Sequence, residues 1–335
     1  MQNRKNNAYY KLQLIVIIIR VDKEKLKRRR KKMKLIIGKT SGFCMGVKRA
    51  VDEATKEVEK NQGKVTYCLG ELVHNPQVIQ NLEQKGLQII EKLEDIPDPK
   101  GKKVIFRAHG VTKQVYEEAE QLGLVVADFS CPKVLAIHEI AKQYVQKGIP
   151  IFLIGEKEHP EVIGTASFCG ENYFVIQNEE NLQAAIKNVK GKINQLLVIA
   201  QTTFNLQKFE QFVETISKEL QGVTIEVKNT ICDATRLRQE ETSQLSKNVD
   251  CMIVIGGRKS SNSNKLYQIA KANCNNTFFI ESVNELENMM QKEGKTEDDF
   301  RKYETIGIMA GASTPEQSVQ EVVNFIGGQD NEHRN

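Results

Sequence analysis

Cys44, Cys131 and Cys232 occupy matching places in three successive segments of the chain, and the residues that follow each of them match as well. Each cysteine comes after a short apolar run (Leu35–Ile37, Leu124–Val126 and Val223–Val227) and opens a stretch with helical periodicity. An apolar run ending in glycine follows (Tyr67–Gly70, Phe152–Gly155 and Ile253–Gly256), at 26, 24 and 24 residues from cysteine to glycine. Thiolate is the usual protein ligand of iron–sulfur clusters. Three such ligands without a matching fourth leave one metal position open, the arrangement of a metal that acts as a Lewis acid. Burial as structural cysteines accounts well for one isolated residue but poorly for three at equivalent strand-to-helix turns. Cys68 and Cys251 lie inside strand-like runs, and Cys169 and Cys274 match nothing across the segments, so these four are assigned to the core. A three-cysteine zinc hydrolase acting on phosphate esters shares the ligand count and stays open at this point.

The glycines lead into polar loops, Glu71–Asn75, Glu156–Pro160 and Gly257–Asn262, and a further apolar run in each segment ends at His109, at Thr202 and at Ser313. His74, His109 and His159, three of the five histidines, fall in these loops. An imidazole N–H donates to phosphate oxygens, and the protonated ring adds charge. The third segment offers Ser260, Ser261, Asn262 and Ser313 instead, at the start of helices where backbone N–H groups attract anions. Ser and Asn are also ordinary helix caps, so each alone says little. Together with the histidines they describe a cradle of diphosphate size with few Lys or Arg. Glu161 follows His159 by two positions and faces the same centre, where an acid can deliver protons to a bound substrate; Thr202 is placed to orient or relay that proton. His138 lies within the helix after Cys131 and is read as structural. The chain has no Walker-type glycine–lysine loop, and Gly256 followed by Gly257 is a weak signal alone.

Short, continuous Val, Ile and Leu runs alternate with amphipathic stretches, the pattern of parallel sheets covered on both faces. Ligands of such sheets gather beyond the carboxyl ends of the strands, where all the polar loops fall. Self-similarity at a long period then predicts an α/β fold of three pseudo-symmetric small units with mostly parallel sheets around a central cluster site. The units run over 33–130, 131–231 and 232–330. Predicted helices cover 47–58, 76–85 and 112–122, then 134–146 and 206–220, then 236–245 and 265–272. Predicted strands cover 65–69, 103–106, 151–154, 196–200, 251–255 and 305–309, with a first strand opening at Met33.

A chain of 335 residues, 40% of them hydrophobic, buries several cores. No run of about eighteen apolar residues is present, so no membrane span is expected. Seven cysteines, with no Cys-x-x-Cys pair, suit a reducing cytoplasm better than a disulfide framework. The net charge of +5 is unevenly placed: residues 1–32 hold twelve Lys or Arg against two acids, so the remainder carries −5. The basic stretch Lys23–Lys32 suits an anionic surface, but the body of the chain does not, and neither nucleic acid nor membrane is expected as its partner. Residues 1–32 lie outside the repeats. They read as a disordered extension or a start-site artefact, and their deletion is expected to leave turnover unchanged.

Nine strings carry a resemblance: Gly42–Ala50 (GFCMGVKRA), Leu72–Asn75, Arg107–Val111, Cys131–Val134, His159–Thr165 (HPEVIGT), Ala200–Thr203, Thr230–Thr235, Ser260–Asn264 and Ala310–Pro315. From Met33 to near Ile326 the chain resembles the 4-hydroxy-3-methylbut-2-enyl diphosphate reductases, the last enzymes of the non-mevalonate isoprenoid pathway. Met45 and Ser130 depart from the usual residues of that family without removing a functional group. The resemblance implies a [4Fe–4S] cluster on Cys44, Cys131 and Cys232 with one open iron for the substrate's allylic hydroxyl. It implies that His74, His109, His159, Ser260, Ser261, Asn262 and Ser313 hold the diphosphate, that Glu161 supplies protons and that Thr202 positions the hydroxyl. Electrons are expected from outside, since the chain has no flavin or nicotinamide fingerprint, and the resemblance implies a ferredoxin or flavodoxin as their donor. Quinolinate synthase, another three-unit protein with a three-cysteine cluster, is the nearest rival, and the serine–asparagine loop with three histidines argues against it.

Overall fold

Strands buried on both faces need a partner on each side and a helix above and below, and this chain meets that need three times. The computed structural model describes residues 15–17, 33–61, 64–294 and 296–327. The strands β1 (Ile15–Ile17) and β2 (Lys34–Ile37) pair antiparallel; the expectation for the rest of 1–32 lies outside the described residues. Next come β3 (Thr66–Leu69), β4 (Leu87–Ile90), β5 (Lys103–Phe106) and β6 (Val125–Asp128), in the sheet order β4-β3-β5-β6. A second sheet holds β7 (Ile151–Ile154), β8 (Tyr173–Ile176), β9 (Gln195–Ala200) and β10 (Thr224–Val227), in the order β10-β9-β7-β8. The third contains β11 (Cys251–Ile255), β12 (Thr277–Ile280) and β13 (Thr305–Ala310). Every described pairing apart from β1 with β2 is parallel.

The sequence reading placed the strand at Met33 in the first unit, and the structure corrects this. β2 lies against β13, with Leu35 opposite Ile306 and Ile37 opposite Ile308, so it belongs to the third sheet, whose five strands run in the order β1-β2-β13-β11-β12. With β1 set aside, all three sheets share one order, ending on the strand that leads to a cysteine. The cause is physical: an apolar run specifies a strand, but its partner is chosen by packing across the whole chain.

Each cysteine is therefore a junction. The strand before it belongs to one sheet, and the helix after it covers the next. These helices are α1 (Met45–Lys60), α4 (Pro132–Gln146) and α8 (Asp233–Ser246). Ala50, Ala54 and Val58 of α1 pack with Cys68 and Ile105 of the first sheet. Ile137, Ala141 and Tyr144 of α4 pack with Ile151 and Leu153 of the second. In α8 only Leu245 joins the third sheet's core, beside Met252 and Val254.

The remaining buried face of α8 is polar, and it holds loops rather than a sheet. The Glu241 carboxylate accepts from the N–H groups of Lys39 and Thr40 at 2.7 and 2.8 Å and from Thr40 Oγ1 at 2.5 Å. Arg238 donates to the carbonyl of Gly42 at 2.6 Å. Gln239 accepts from the N–H of Leu206 and donates to the carbonyl of Phe204, both at 3.0 Å. Thus one helix fixes the loops that carry Cys44 and Thr202. Among the described residues no helix is long and apolar enough to cross a membrane.

Candidate active site

The three cysteines are bound into the fold by one repeated contact. The N–H of Cys44 donates to the carbonyl of Ala312 (3.0 Å), that of Cys131 to Ala108 (2.9 Å) and that of Cys232 to Thr202 (3.0 Å). Each acceptor sits in the loop after the third strand of the preceding unit, so each sulfur is registered to a ligand-binding loop. All three residues are the N-caps of their helices, and Cys44 Sγ accepts from the N–H of Val47 at 3.4 Å. Helix N-termini favour thiolate and other negative charge. Burial above all pushes the Cys131 thiol up; the N–H groups of Lys133 and Val134 pull it down, and Cys44 and Cys232 raise it further.

The three sulfurs line a central cavity with about 750 Å³ of space not filled by protein, part of it open to solvent. Loops after nine strands reach it, three from each sheet, and the edge strands β4, β8 and β12 contribute none. Every residue singled out in the sequence for chemistry lies on its wall: the cysteines, His74, His109, His159, Glu161, Thr202, Ser260, Ser261, Asn262 and Ser313. His138 does not. It stacks on Phe168 at 4.4 Å and packs against Gly110.

The residues fit an iron–sulfur cluster on two observations besides ligand type. All three cysteines are free and half-buried. Gly46 leaves room that a side chain would fill, since a Cβ there would stand 2.7 Å from Cys131 Sγ. Gly46→Ala is accordingly expected to lower the iron bound per chain while leaving the fold intact, as iron analysis and circular dichroism of the same sample would read; unchanged iron would mean that Cys131 has room to turn.

His74 and His109 stack at 4.2 Å, and His159 meets both edge-on at 5.7 and 5.5 Å. Burial is the first cause that keeps all three below the ordinary imidazole range. His159 falls to about 4, with His74, Arg107 and Lys265 lowering it further against Glu156. His109 lies well below its usual value, with His74, His159 and Arg107 adding to burial. A neutral ring donates through one nitrogen only, and an anion between the rings would raise their basicity.

The third unit supplies the rest of the wall. The helix α9 (Ser261–Asn273) begins four residues earlier than the sequence pattern suggested, with Ser260 as its cap. Ser261 and Asn262 therefore sit in its first turn, at the anion-favouring end. Asn262 is 3% exposed, yet neither its Nδ2 nor its Oδ1 has a partner. An unpaired buried amide costs about 1–3 kcal/mol per group, which is the signature of a site shaped for a polar ligand. Ser313 Oγ donates to the carbonyl of His74 at 3.2 Å, closing the first unit against the third.

Glu161 is 3% exposed and bound at both oxygens by Thr202: Oε1 accepts from its N–H at 2.6 Å and Oε2 from its Oγ1 at 2.7 Å. Burial pushes the carboxyl up to about 7; the Thr202 bonds oppose that rise and Glu156 adds to it. A carboxyl at that value is half protonated near neutrality, the condition under which a group both gives and regains protons.

The family model for LytB protein matches residues 35–327. The chain belongs to the LytB family. Curated LytB relatives from Thermoanaerobacter sp. (strain X514) and Clostridioides difficile (strain 630), both called 4-hydroxy-3-methylbut-2-enyl diphosphate reductase, are each 39% identical to it. They cover 89% and 88% of this chain and 99% of their own length. A solved structure described as (E)-4-hydroxy-3-methyl-but-2-enyl diphosphate reductase, the terminal enzyme of the non-mevalonate pathway, is 38% identical. It covers 87% of this chain and 98% of its own, with a TM-score of 0.62. A reductase structure from Plasmodium falciparum is 28% identical, covers 90% and 93%, and has a TM-score of 0.78.

Sequence reasoning about this LytB chain missed the residues that hold the site together. Glu71 and Glu156, each following a strand-end glycine, reach across to the third unit: Glu71 accepts from Lys259 at 2.7 Å, and Glu156 from Lys265 at 2.8 Å and Ser261 at 3.0 Å. Arg238, Gln239 and Glu241 were likewise overlooked. The available signal was the polar character of α8, whose charged and amide residues fall on the face that points inward.

Proposed function

We propose that this chain is an iron–sulfur reductase that reductively dehydroxylates 4-hydroxy-3-methylbut-2-enyl diphosphate to isopentenyl and dimethylallyl diphosphate, the last step of the non-mevalonate isoprenoid pathway. The observation that carries this reading is the sharing of one cavity wall by three cysteines from three junctions, a cluster of neutral histidines with an unpartnered asparagine, and a buried carboxyl near neutrality. Cys44, Cys131 and Cys232 would hold a [4Fe–4S] cluster, which would relay electrons from the external donor and offer a Lewis acid to the allylic hydroxyl.

The chain's own residues do the rest. His74, His109, His159, Ser260, Ser261, Asn262 and Ser313 receive the diphosphate, using N–H and O–H donors with little fixed charge. That grip fixes the distal hydroxyl, because one end of a short ligand is anchored and the cavity limits the other. Glu161 gives a proton to the departing oxygen, with Thr202 Oγ1 at 2.7 Å holding the carboxyl and the hydroxyl in line. Two electrons and two protons convert each substrate into one product and one water. A donor of the ferredoxin or flavodoxin type supplies the electrons. Met45, next to Cys44 in the chain, is 90% exposed. Seven cysteines free of disulfides, with no membrane-crossing helix among the described residues, support a reducing, cytoplasmic setting.

Anaerobic incubation of the iron-loaded protein with the hydroxylated diphosphate and reduced methyl viologen tests the reading. Formation of both five-carbon diphosphates, matched by two equivalents of oxidised viologen per product, is expected. Colourless protein with stoichiometric zinc, or iron-loaded protein that consumes no reductant, would reject it.

A further inference from the structure

Two of the three histidines are held in opposite tautomers. The N–H of Glu161 donates to Nδ1 of His159 at 3.1 Å, so that nitrogen is bare and the ring proton sits on Nε2. At His74 the partner of Nδ1 is a carboxylate oxygen, Glu71 Oε2, at 3.2 Å. An ionised carboxylate only accepts, so Nδ1 carries the proton of His74 and Nε2 is bare. A bare ring nitrogen repels a phosphate oxygen. His159 can donate to an anion as it stands, whereas His74 must first gain a proton.

Glu71 is placed to make that gain easy. Its other oxygen accepts from Lys259 at 2.7 Å. Burial alone would raise this carboxyl, but the bonds from Lys259 and His74 prevail and hold it below the ordinary range, so it stays charged. The groups facing His74 are Glu71 from its own loop, Lys259 from the third unit, Arg107 and His109 from the loop after β5, and His159 from the second unit. Burial first, then the Arg107 and Lys259 cations, keep free His74 below its usual value, and Glu71 alone opposes them. His109 has no such help: its Nδ1 is buried without a partner. The equivalent residue of the second unit, Glu156, binds Ser261 and Lys265, so the carboxylate–imidazole pair is peculiar to the first unit.

We propose that Glu71 is a positioning residue that makes His74 the proton-accepting contact of the cradle, so that diphosphate binding draws one proton from solvent onto His74 Nε2. The inference rests on the reading that the histidine cluster receives a diphosphate. The sign follows from linkage: between the low free-state and the raised bound-state pKa of His74, the complex holds one more proton than its parts, so affinity rises as pH falls through the bound-state value.

The test is calorimetric titration of the anaerobic holoenzyme with isopentenyl diphosphate, above the last ionisation of its phosphates, in buffers of different ionisation enthalpy. The wild type is expected to take up about one proton per ligand. Glu71→Gln is expected to bind roughly tenfold more weakly, to lose the uptake and to flatten the pH dependence, and Glu71→Asp to restore part of both. Equal uptake in wild type and Glu71→Gln overturns the proposal. Wild-type binding without uptake overturns the Glu71 assignment alone, while absence of binding overturns the diphosphate cradle as well.

Discussion

Cys131→Ser is expected to bind almost no iron and to lose turnover altogether. A serine at this position keeps the backbone N–H bond to the Ala108 carbonyl and the Pro132 start of α4, so the fold survives while the soft ligand is lost. Alkoxide is far less accessible than thiolate at neutral pH, and iron–sulfur clusters depend on thiolate. Only three cysteines line the cavity, so no spare ligand replaces the missing one. Anaerobic iron and sulfide analysis should fall from about four of each per chain to near zero, with circular dichroism unchanged. Retention of a full cluster and normal turnover in this variant would remove Cys131 from the ligand set.

Glu161→Gln separates the proton source from the metal. The amide oxygen can still accept from the Thr202 N–H and the amide NH2 can donate to Thr202 Oγ1, the two groups that hold the carboxylate at 2.6 and 2.7 Å, so the local geometry persists. What disappears is the exchangeable proton. General acids of this kind contribute about 10²–10⁴-fold, so kcat should drop by that factor with cluster content and substrate affinity nearly intact. The wild-type pH profile carries the same signature: the carboxyl titrates near 7, and a step requiring its protonated form slows as pH rises through that value. In Glu161→Gln the alkaline fall should vanish along with the activity. A variant with unaltered kcat, or one whose pH profile still falls at the same place, would move the proton source elsewhere.

Much of the fold was legible because it is written in local patterns. The central strands β3, β7 and β11 are buried along their length and apolar apart from Thr66, and the helices α1, α4 and α8 follow their cysteines with helical periodicity. The edge strands β4, β8 and β12 went unread, as did the helices Pro160–Ala166, Glu179–Val189 and Val283–Lys292. The burial of β4 is interrupted at Gln88, which is exposed, and β8 and β12 are only half-buried at their starts, although all three are four residues long, as β3 and β7 are. None of the three reaches the cavity, so the omission did not disturb the site.

What the sequence determined by itself is a set of local facts: residue types, their spacing, and their place at a strand end or a helix start. Those facts were enough to name twelve of the residues that line the cavity, because a parallel sheet sends all its strand-end loops to the same side. Only the tertiary structure decided that β2 belongs to the third sheet, that Glu71 and Glu156 reach across unit boundaries, and that His74 and His159 carry their protons on different nitrogens. The reason is one of range. A tautomer, a raised carboxyl pKa or a strand partner depends on groups distant in the chain and brought within about 3 Å by packing, and no local pattern carries that distance.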